Sequence, residues 1–149
     1  MGSLLRPVRV ARWVSVAAVV CLAALASSCS NGRKPVFPVH GQVLDASRKP
    51  AVGALVIFHP VNADPKDPLK PLGKVDESGR FALTTYVAGD GAPAGDYTIT
   101  LTWPTPKKTP FDPEGGDQLQ GRYAKPERST QRFTVESKPD NEVPTIQLQ

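Results

Sequence analysis

The sequence predicts an all-β domain, a two-sheet sandwich of about seven short strands, from three observations. Short runs with alternating or β-branched apolar side chains recur after residue 35. Clusters of Gly, Pro, Asp, Asn and Ser separate these runs, as is typical of tight turns. The 16 prolines among 149 residues argue against long helices, because proline removes a helical hydrogen bond and clashes with the preceding turn.

The N-terminal residues have the layout of a secretory signal peptide. Arg6, Arg9 and Arg12 form a positive region, residues 13–30 carry no charge, and small residues precede Cys29. The alternative is a single transmembrane helix, but the apolar core is shorter than the roughly 20 residues that cross a bilayer. We therefore expect residues 1–28 to be a cleaved signal peptide.

Cys29 ends a segment that resembles the lipobox of bacterial lipoproteins, in which it follows Leu25, Ala26, Ser27 and Ser28. In that family the peptidase cuts before the cysteine, which becomes the lipidated first residue; here Ala26 stands where leucine is usual. Cys29 could instead be a free thiol or half a disulfide, but the only other cysteine, Cys21, would leave with the signal peptide. The resemblance implies lipid attachment at Cys29, and Ser30 in place of aspartate implies sorting to the outer membrane.

Charge gives no support for nucleic-acid binding. The formal net charge is +4, but three of the positive residues lie in the expected signal peptide, and the other 15 basic residues face 14 acidic ones. No basic stripe follows, so we expect no nucleic-acid partner.

The first strand is expected just after a short polar tether at residues 29–35, where the predicted domain, residues 36–149, begins. Phe37, Val39 and Val43 alternate with more polar positions such as His40. Residues 45–50 have the composition of a turn.

A buried strand and a loop come next. Residues 54–58 are continuously apolar, which predicts a strand that is buried on both faces and ends at Pro60. Three prolines within residues 61–72 indicate a surface loop.

Residues 75–85 predict a hairpin at the centre of the domain. Asp76, Ser78 and Gly79 supply the turn, and Phe81 and Leu83 then share one face of a strand.

The clearest strand covers residues 97–103. Tyr97, Ile99, Leu101 and Trp103 share one face, and threonines occupy the other. Burial of the four apolar side chains is worth roughly 6–12 kcal/mol. Residues 104–113 contain four prolines and are expected to form a stiff loop without strand pairing. Two further strands are expected at residues 131–136 and 145–149.

Four stretches resemble the transthyretin-like, carboxypeptidase-regulatory-like β-sandwich family. That family has, in order, a G-x-V strand, a P-x-x-G-A-x-V strand, a D-x-x-G-x-F hairpin and a G-x-Y-x-V/I strand. The matching stretches here are residues 39–43, 49–60, 76–81 and 95–99, and residues 119–123 resemble a further segment of small lipoproteins that carry the domain. The resemblance implies a transthyretin-like, Ig-like sandwich over residues 36–149, but this fold hosts unrelated functions.

Catalytic chemistry finds little support in the residues. Transthyretin-related hydroxyisourate hydrolases use a histidine in the first strand, which His40 could supply, but they also need a C-terminal Tyr-Arg-Gly-Ser and a second histidine near it. This chain ends in Thr-Ile-Gln-Leu-Gln, and no histidine follows His59. We expect no enzyme, and the hydrolase remains the least favoured alternative.

The residues also give little support for a metal site and leave a sugar site open. Two histidines without a usable cysteine are too few for a metal centre, and the acidic loop residues lack EF-hand spacing, so no metal or cofactor is expected. Tyr86, Trp103 and Tyr123 could present aromatic faces to a glycan, which keeps a carbohydrate-binding module as an alternative. Trp103 is in phase with the core residues of its strand, which favours packing.

The sequence therefore predicts a lipid-anchored, extracytoplasmic β-sandwich of the cell envelope that acts as a non-catalytic binding or structural module. Its expected partners are the membrane, through the anchor at Cys29, and an envelope protein or a glycan. The proline-rich loop at residues 104–119 is the predicted partner surface, because a stiff loop loses little entropy on binding.

Overall fold

Ten short strands run through the part of the chain that this computed structural model describes, which comprises residues 32–66, 68–106, 109 and 115–149. Their bounds are β1 Val36–Phe37, β2 Val39–Leu44, β3 Leu55–Pro60, β4 Leu72–Lys74, β5 Arg80–Ala82, β6 Ala92–Pro93, β7 Gly95–Thr102, β8 Arg132–Val135, β9 Asn141–Glu142 and β10 Ile146–Gln147. A 3₁₀ helix covers Pro126–Arg128. The all-β prediction is confirmed, while the predicted signal peptide and Cys29 lie outside the described residues.

The strands form two main sheets. One has β2 at its centre, with β5 antiparallel on one side and β9 and β10 parallel on the other. The second is antiparallel throughout, in the order β4-β3-β7-β8. A separate ribbon pairs β1 with β6, because Pro38 divides the predicted first strand in two.

The core lies between the two sheets, as the alternation of apolar residues predicts. From the first sheet it receives Val39, Val43 and Phe81, and from the second Phe58 and Leu101. The threonine face of β7 is buried as well, and Thr100 is only 2% exposed. Backbone N–H groups of Ile99 and Leu101 donate to the carbonyls of Gln131 and Tyr123, so the segment before β8 lies along this half of β7.

The predicted central hairpin has the expected turn, but its two arms pair mainly with different strands. The Asp76 carboxylate accepts hydrogen bonds from the N–H groups of Ser78 and Arg80 and from the Ser78 hydroxyl. β4 then pairs with β3, whereas β5 pairs with β2. The arms pass closely at Gly73, where a β-carbon would stand 2.8 Å from the carbonyl oxygen of Ala82. The turn therefore joins the two sheets at one side of the sandwich.

Two local predictions around β3 are corrected. Leu55 and Ile57 are half-buried, not buried, because they face outward from the second sheet. The strand ends at Pro60 as predicted, and Pro60 itself pairs with Tyr97 as its last residue. The predicted loop at residues 61–72 ends earlier than expected, because the carbonyl of buried Pro71 accepts the N–H of Phe58 and Leu72 begins β4.

Tyr97 connects the start of β7 to strand β6, which precedes it. Its buried hydroxyl donates to the carbonyl oxygen of Pro93 at 2.8 Å, and its ring centroid lies 5.5 Å from that of Phe58. Greek-key sandwiches use the same arrangement, in which a tyrosine hydroxyl bonds the backbone a few residues upstream. Burial raises the pKa of Tyr97 to about 12, since the charged form would lose its hydration.

Candidate binding groove

The two histidines lie in different sheets and have different partners. His40, on β2, places Nδ1 3.2 Å from a carboxylate oxygen of Asp140. His59, on β3, places Nε2 2.8 Å from the hydroxyl oxygen of Thr100. Burial, aided by the charge of Lys70, lowers the pKa of His59 below its ordinary value. The structure therefore does not combine the two histidines into one site.

The three aromatic residues considered for glycan binding are each tied to the backbone of another segment. The Tyr86 hydroxyl accepts the N–H of Lys34, the Tyr123 hydroxyl accepts the N–H of Gln149, and the Trp103 indole N–H donates to the carbonyl of Val52. Trp103 and Tyr123 are half-buried and pack against the core. These contacts fix the rings at separate places on the domain.

Acidic side chains in the loops serve as backbone clamps. Both carboxylate oxygens of Asp90 are engaged, by the N–H groups of Thr85, Tyr86 and Val87.

Within the described ranges, no three His, Cys, Asp or Glu side chains gather into a group that could hold a metal ion. The same part of the chain contains no helix with the length and apolar character needed to cross a membrane.

A groove of about 440 Å³ lies at the end of the sandwich where β3 begins. Val52 and Gly53 form one side, Pro104, Thr105 and Pro106 the other, and the lining is completed by Leu55, Lys74 and Gly115. A neighbouring depression of about 470 Å³ shares Val52, Gly53, Lys74 and Pro106 and adds the turn at Asp76 and Glu77. We call the two together the distal groove.

Asp117 holds the base of the loop that forms one wall of the distal groove. Its carboxylate accepts the N–H groups of Trp103, Leu119 and Gly121 at 2.8–3.0 Å. Burial alone would raise the pKa of this carboxyl group, but these hydrogen bonds lower it below the ordinary value, because they favour the charged form. Asp117 thus holds both ends of the loop in place.

The two ends of this loop, at Thr105 and at Gly115 and Gly116, lie close together beside the groove. Thr105 donates both its N–H and its hydroxyl to the carbonyl of Gly116. A β-carbon on Gly115 would stand 2.5 Å from the carbonyl oxygen of Thr105, so only glycine fits there. This contact keeps Thr105 at the rim of the groove.

The opposite wall is fixed through Trp103. Its indole N–H donates to the Val52 carbonyl at 2.9 Å, and the N–H of Gly53 donates to the carbonyl of Val75. Val52 nevertheless keeps 44% of its surface exposed. The groove therefore combines an apolar surface with walls that hydrogen bonds hold in position.

One side of this groove belongs to the loop predicted as a partner surface, which stays a prediction, and the other side was not singled out from the sequence. Residues 104–106 belong to the predicted partner loop, and residues 107–108 and 110–114 of that loop lie outside the described residues. Val52 and Lys74 had no recognisable signal, because a turn residue and a strand residue become groove walls only through long-range packing. The contact from Trp103 to Val52 spans 51 positions in the sequence.

Comparisons with known proteins place this geometry in context. No protein-family model matches the chain, and no curated protein matches it. Among solved structures, a 9R-lipoxygenase from Cyanothece PCC8801 is similar over 76% of this chain, at 14% sequence identity and a TM-score of 0.42. The chain spans 16% of the length of that lipoxygenase. Fold and site together define a small all-β sandwich domain with a groove at one end.

Proposed function

We propose that the protein is a non-catalytic binding module of the bacterial cell envelope, attached to a membrane through a lipidated Cys29. In this proposal the distal groove binds an extended, apolar segment of an envelope protein. The lipobox-like sequence before Cys29 supports the anchor, and the lack of a combined catalytic or metal site among the described residues is compatible with a binding module.

One observation carries the proposal: the first described residues and the distal groove lie near opposite ends of β3. Leu55, at the start of β3, lines the distal groove. Pro60, at its end, lines a cavity together with Lys34, near the first described residues. Six residues of strand separate the two ends by roughly 17 Å. If the domain is attached through the chain before Lys34, the groove lies about one strand length beyond the first described residues.

The chemistry of the groove favours a peptide over a sugar. Sugar sites use a free aromatic face with polar groups around it, whereas here the lining is Val52, Leu55 and two prolines, Pro104 and Pro106. The indole N–H of Trp103 is already engaged by Val52. Prolines and a clamped loop lose little entropy on binding, which helps a rigid surface to hold an extended segment.

Site-directed photocrosslinking in the intact envelope tests this function. A photoreactive residue at Thr105, on the rim of the groove, is expected to crosslink a discrete partner, and Val52→Glu is expected to abolish the product. Leu72→Glu is the matched control, because Leu72 is 48% exposed, close to the 44% of Val52, but does not line the groove. Crosslinks that survive Val52→Glu, or that Leu72→Glu removes equally, contradict the proposal.

A further inference from the structure

Two exposed valines, Val61 and Val87, lie in turns near the end of β3 that is farther from the distal groove. Among the described residues, the large apolar side chains with substantial exposure are Val87 at 64%, Val61 at 57%, Leu72 at 48% and Val52 at 44%. Exposed single valines are common on soluble proteins. Val61 and Val87, however, lie in turns near the same end of β3, so they can contact one partner together.

Lys34 contacts residues next to both Val61 and Val87 in the sequence. The N–H of Lys34 donates to the hydroxyl of Tyr86, which precedes Val87. Lys34 also lines a cavity of about 350 Å³ with Pro60 and Asn62, which flank Val61 in the sequence. We call Val61, Val87 and the cavity at Lys34 the proximal surface.

Both valines are held by fixed backbone. The N–H of Val61 donates to the carbonyl of Asp96 at 2.9 Å, which closes the turn after β3. The N–H of Val87 donates to the carboxylate of Asp90 at 2.9 Å. These side chains are therefore presented outward by ordered turns.

The length of the chain before Lys34 decides what can cover this surface. Lys34 comes five residues after Cys29, and five extended residues reach at most roughly 17 Å. An acylated Cys29 stays at the headgroup level, since its acyl chains are buried among the lipids. Lys34 then lies within this reach of the bilayer, and Leu55 at the distal groove can be a further strand length away.

We propose that the proximal surface contacts the bilayer directly, with Val61 and Val87 entering its interfacial region. This inference rests on the proposed lipid anchor and specifies how the anchored domain is oriented. Charge does not drive the contact, because Asp64 and Asp96 line the same cavity as Lys34. Neutral and anionic vesicles are therefore expected to give the same orientation.

Fluorescent labelling of the full-length, lipidated protein in vesicles tests the contact. In Val61→Cys and in Val87→Cys, the new cysteine is the only free thiol once Cys29 is acylated and Cys21 is removed with the signal peptide. An environment-sensitive probe at either position is expected to show blue-shifted emission and to be quenched by brominated lipids. The matched control is Val52→Cys, whose probe at the other end of β3 is expected to be quenched only by aqueous iodide.

Failure of this inference can be told apart from failure of the anchor. Flotation with vesicles and the mass of the protein report whether acyl chains are present. An acylated protein that floats but whose probes at positions 61 and 87 behave like the probe at position 52 overturns the membrane contact alone. A blue shift that depends on protein density and resists brominated lipids indicates a second copy of the chain, and it overturns the contact as well.

Discussion

Gly91→Ala tests a close approach of the backbone at Gly91 to that of Phe37 and Pro38. Gly91 has φ +96°, and a β-carbon there would stand 1.8 Å from the carbonyl oxygen of Phe37 and 2.8 Å from the α-carbon of Pro38. Both obstacles are backbone atoms, and neither can turn away as a flexible side chain could. They also belong to or adjoin β1, which pairs with β6 immediately after Gly91.

The expected cost has two parts. A left-handed conformation costs a non-glycine residue about 1–2 kcal/mol. Separating the β-carbon from Phe37 requires a backbone shift, and overpacking of this kind costs about 1–3 kcal/mol. We therefore expect Gly91→Ala to lower the free energy of unfolding by about 2–5 kcal/mol in total.

Gly89→Ala separates the two parts, because Gly89 has φ +74° and nothing within 4 Å of its β-carbon position. This variant should lose only about 1–2 kcal/mol. Urea unfolding of residues 30–149, followed by far-ultraviolet circular dichroism and the fluorescence of Trp103, gives both values. Equal losses in the two variants would refute the close approach of Gly91 to Phe37.

Three further predictions concern the clamps described above. Tyr97→Phe should cost about 1–2 kcal/mol at pH 7, because it leaves the Pro93 carbonyl without its buried donor. The pKa of Tyr97 is raised from 10.0 to about 12, so the stabilisation that its hydroxyl supplies is complete below pH 10 and is lost as the pH rises towards 12. The urea midpoints of wild type and Tyr97→Phe should therefore converge across this pH range. Midpoints that stay equally far apart would contradict the buried hydrogen bond of Tyr97. Asp117→Asn should cost about 1–2 kcal/mol at pH 7, since it replaces charged hydrogen bonds by weaker ones at a partly solvated site. The pKa of Asp117 is lowered from 3.8, so the stabilisation by its carboxylate is present above pH 3.8 and is lost as the pH falls through the lowered pKa. The free energies of unfolding of wild type and Asp117→Asn should therefore approach each other in acid. A difference that does not shrink would contradict the role of Asp117. Trp103→Phe removes the donor to the Val52 carbonyl and should speed amide exchange around Val52 without a change at Val61, which hydrogen-exchange measurements can check.

Features of the fold that depend on local pattern were accessible from the sequence. The apolar alternation of β7 predicted Tyr97, Ile99 and Leu101 in the core, because a period-two pattern places these side chains on one face. Burial of Thr98 and Thr100 on the other face depends on the segment before β8, which the pattern of β7 does not reveal. The turn at Asp76 was likewise encoded by residues that bond their own backbone.

Features that depend on long-range packing were not accessible. β9 and β10 each have two residues and pair parallel to β2, and so short a strand carries too little pattern to reveal its partner. Asn141 is buried, and its side-chain amide donates to carbonyls of Glu136 and Pro38. A single asparagine in a turn-like sequence gives no sign of such a role.

The candidate groove shows the same division. Its proline-rich wall could be predicted from composition, because four prolines within residues 104–113 rule out a regular ladder. The role of Asp117 could not, since carboxylates in loops are usually solvated. Only the folded backbone brings the N–H groups of Trp103, Leu119 and Gly121 to one side chain.

Metabolic labelling with a radioactive fatty acid tests most directly whether the domain is held at a membrane through Cys29. Wild type is expected to take up the label and to fractionate with the envelope, whereas Cys29→Ala should remain unlabelled. Labelling that is equal in both proteins, or a wild type that carries no label, would contradict the account.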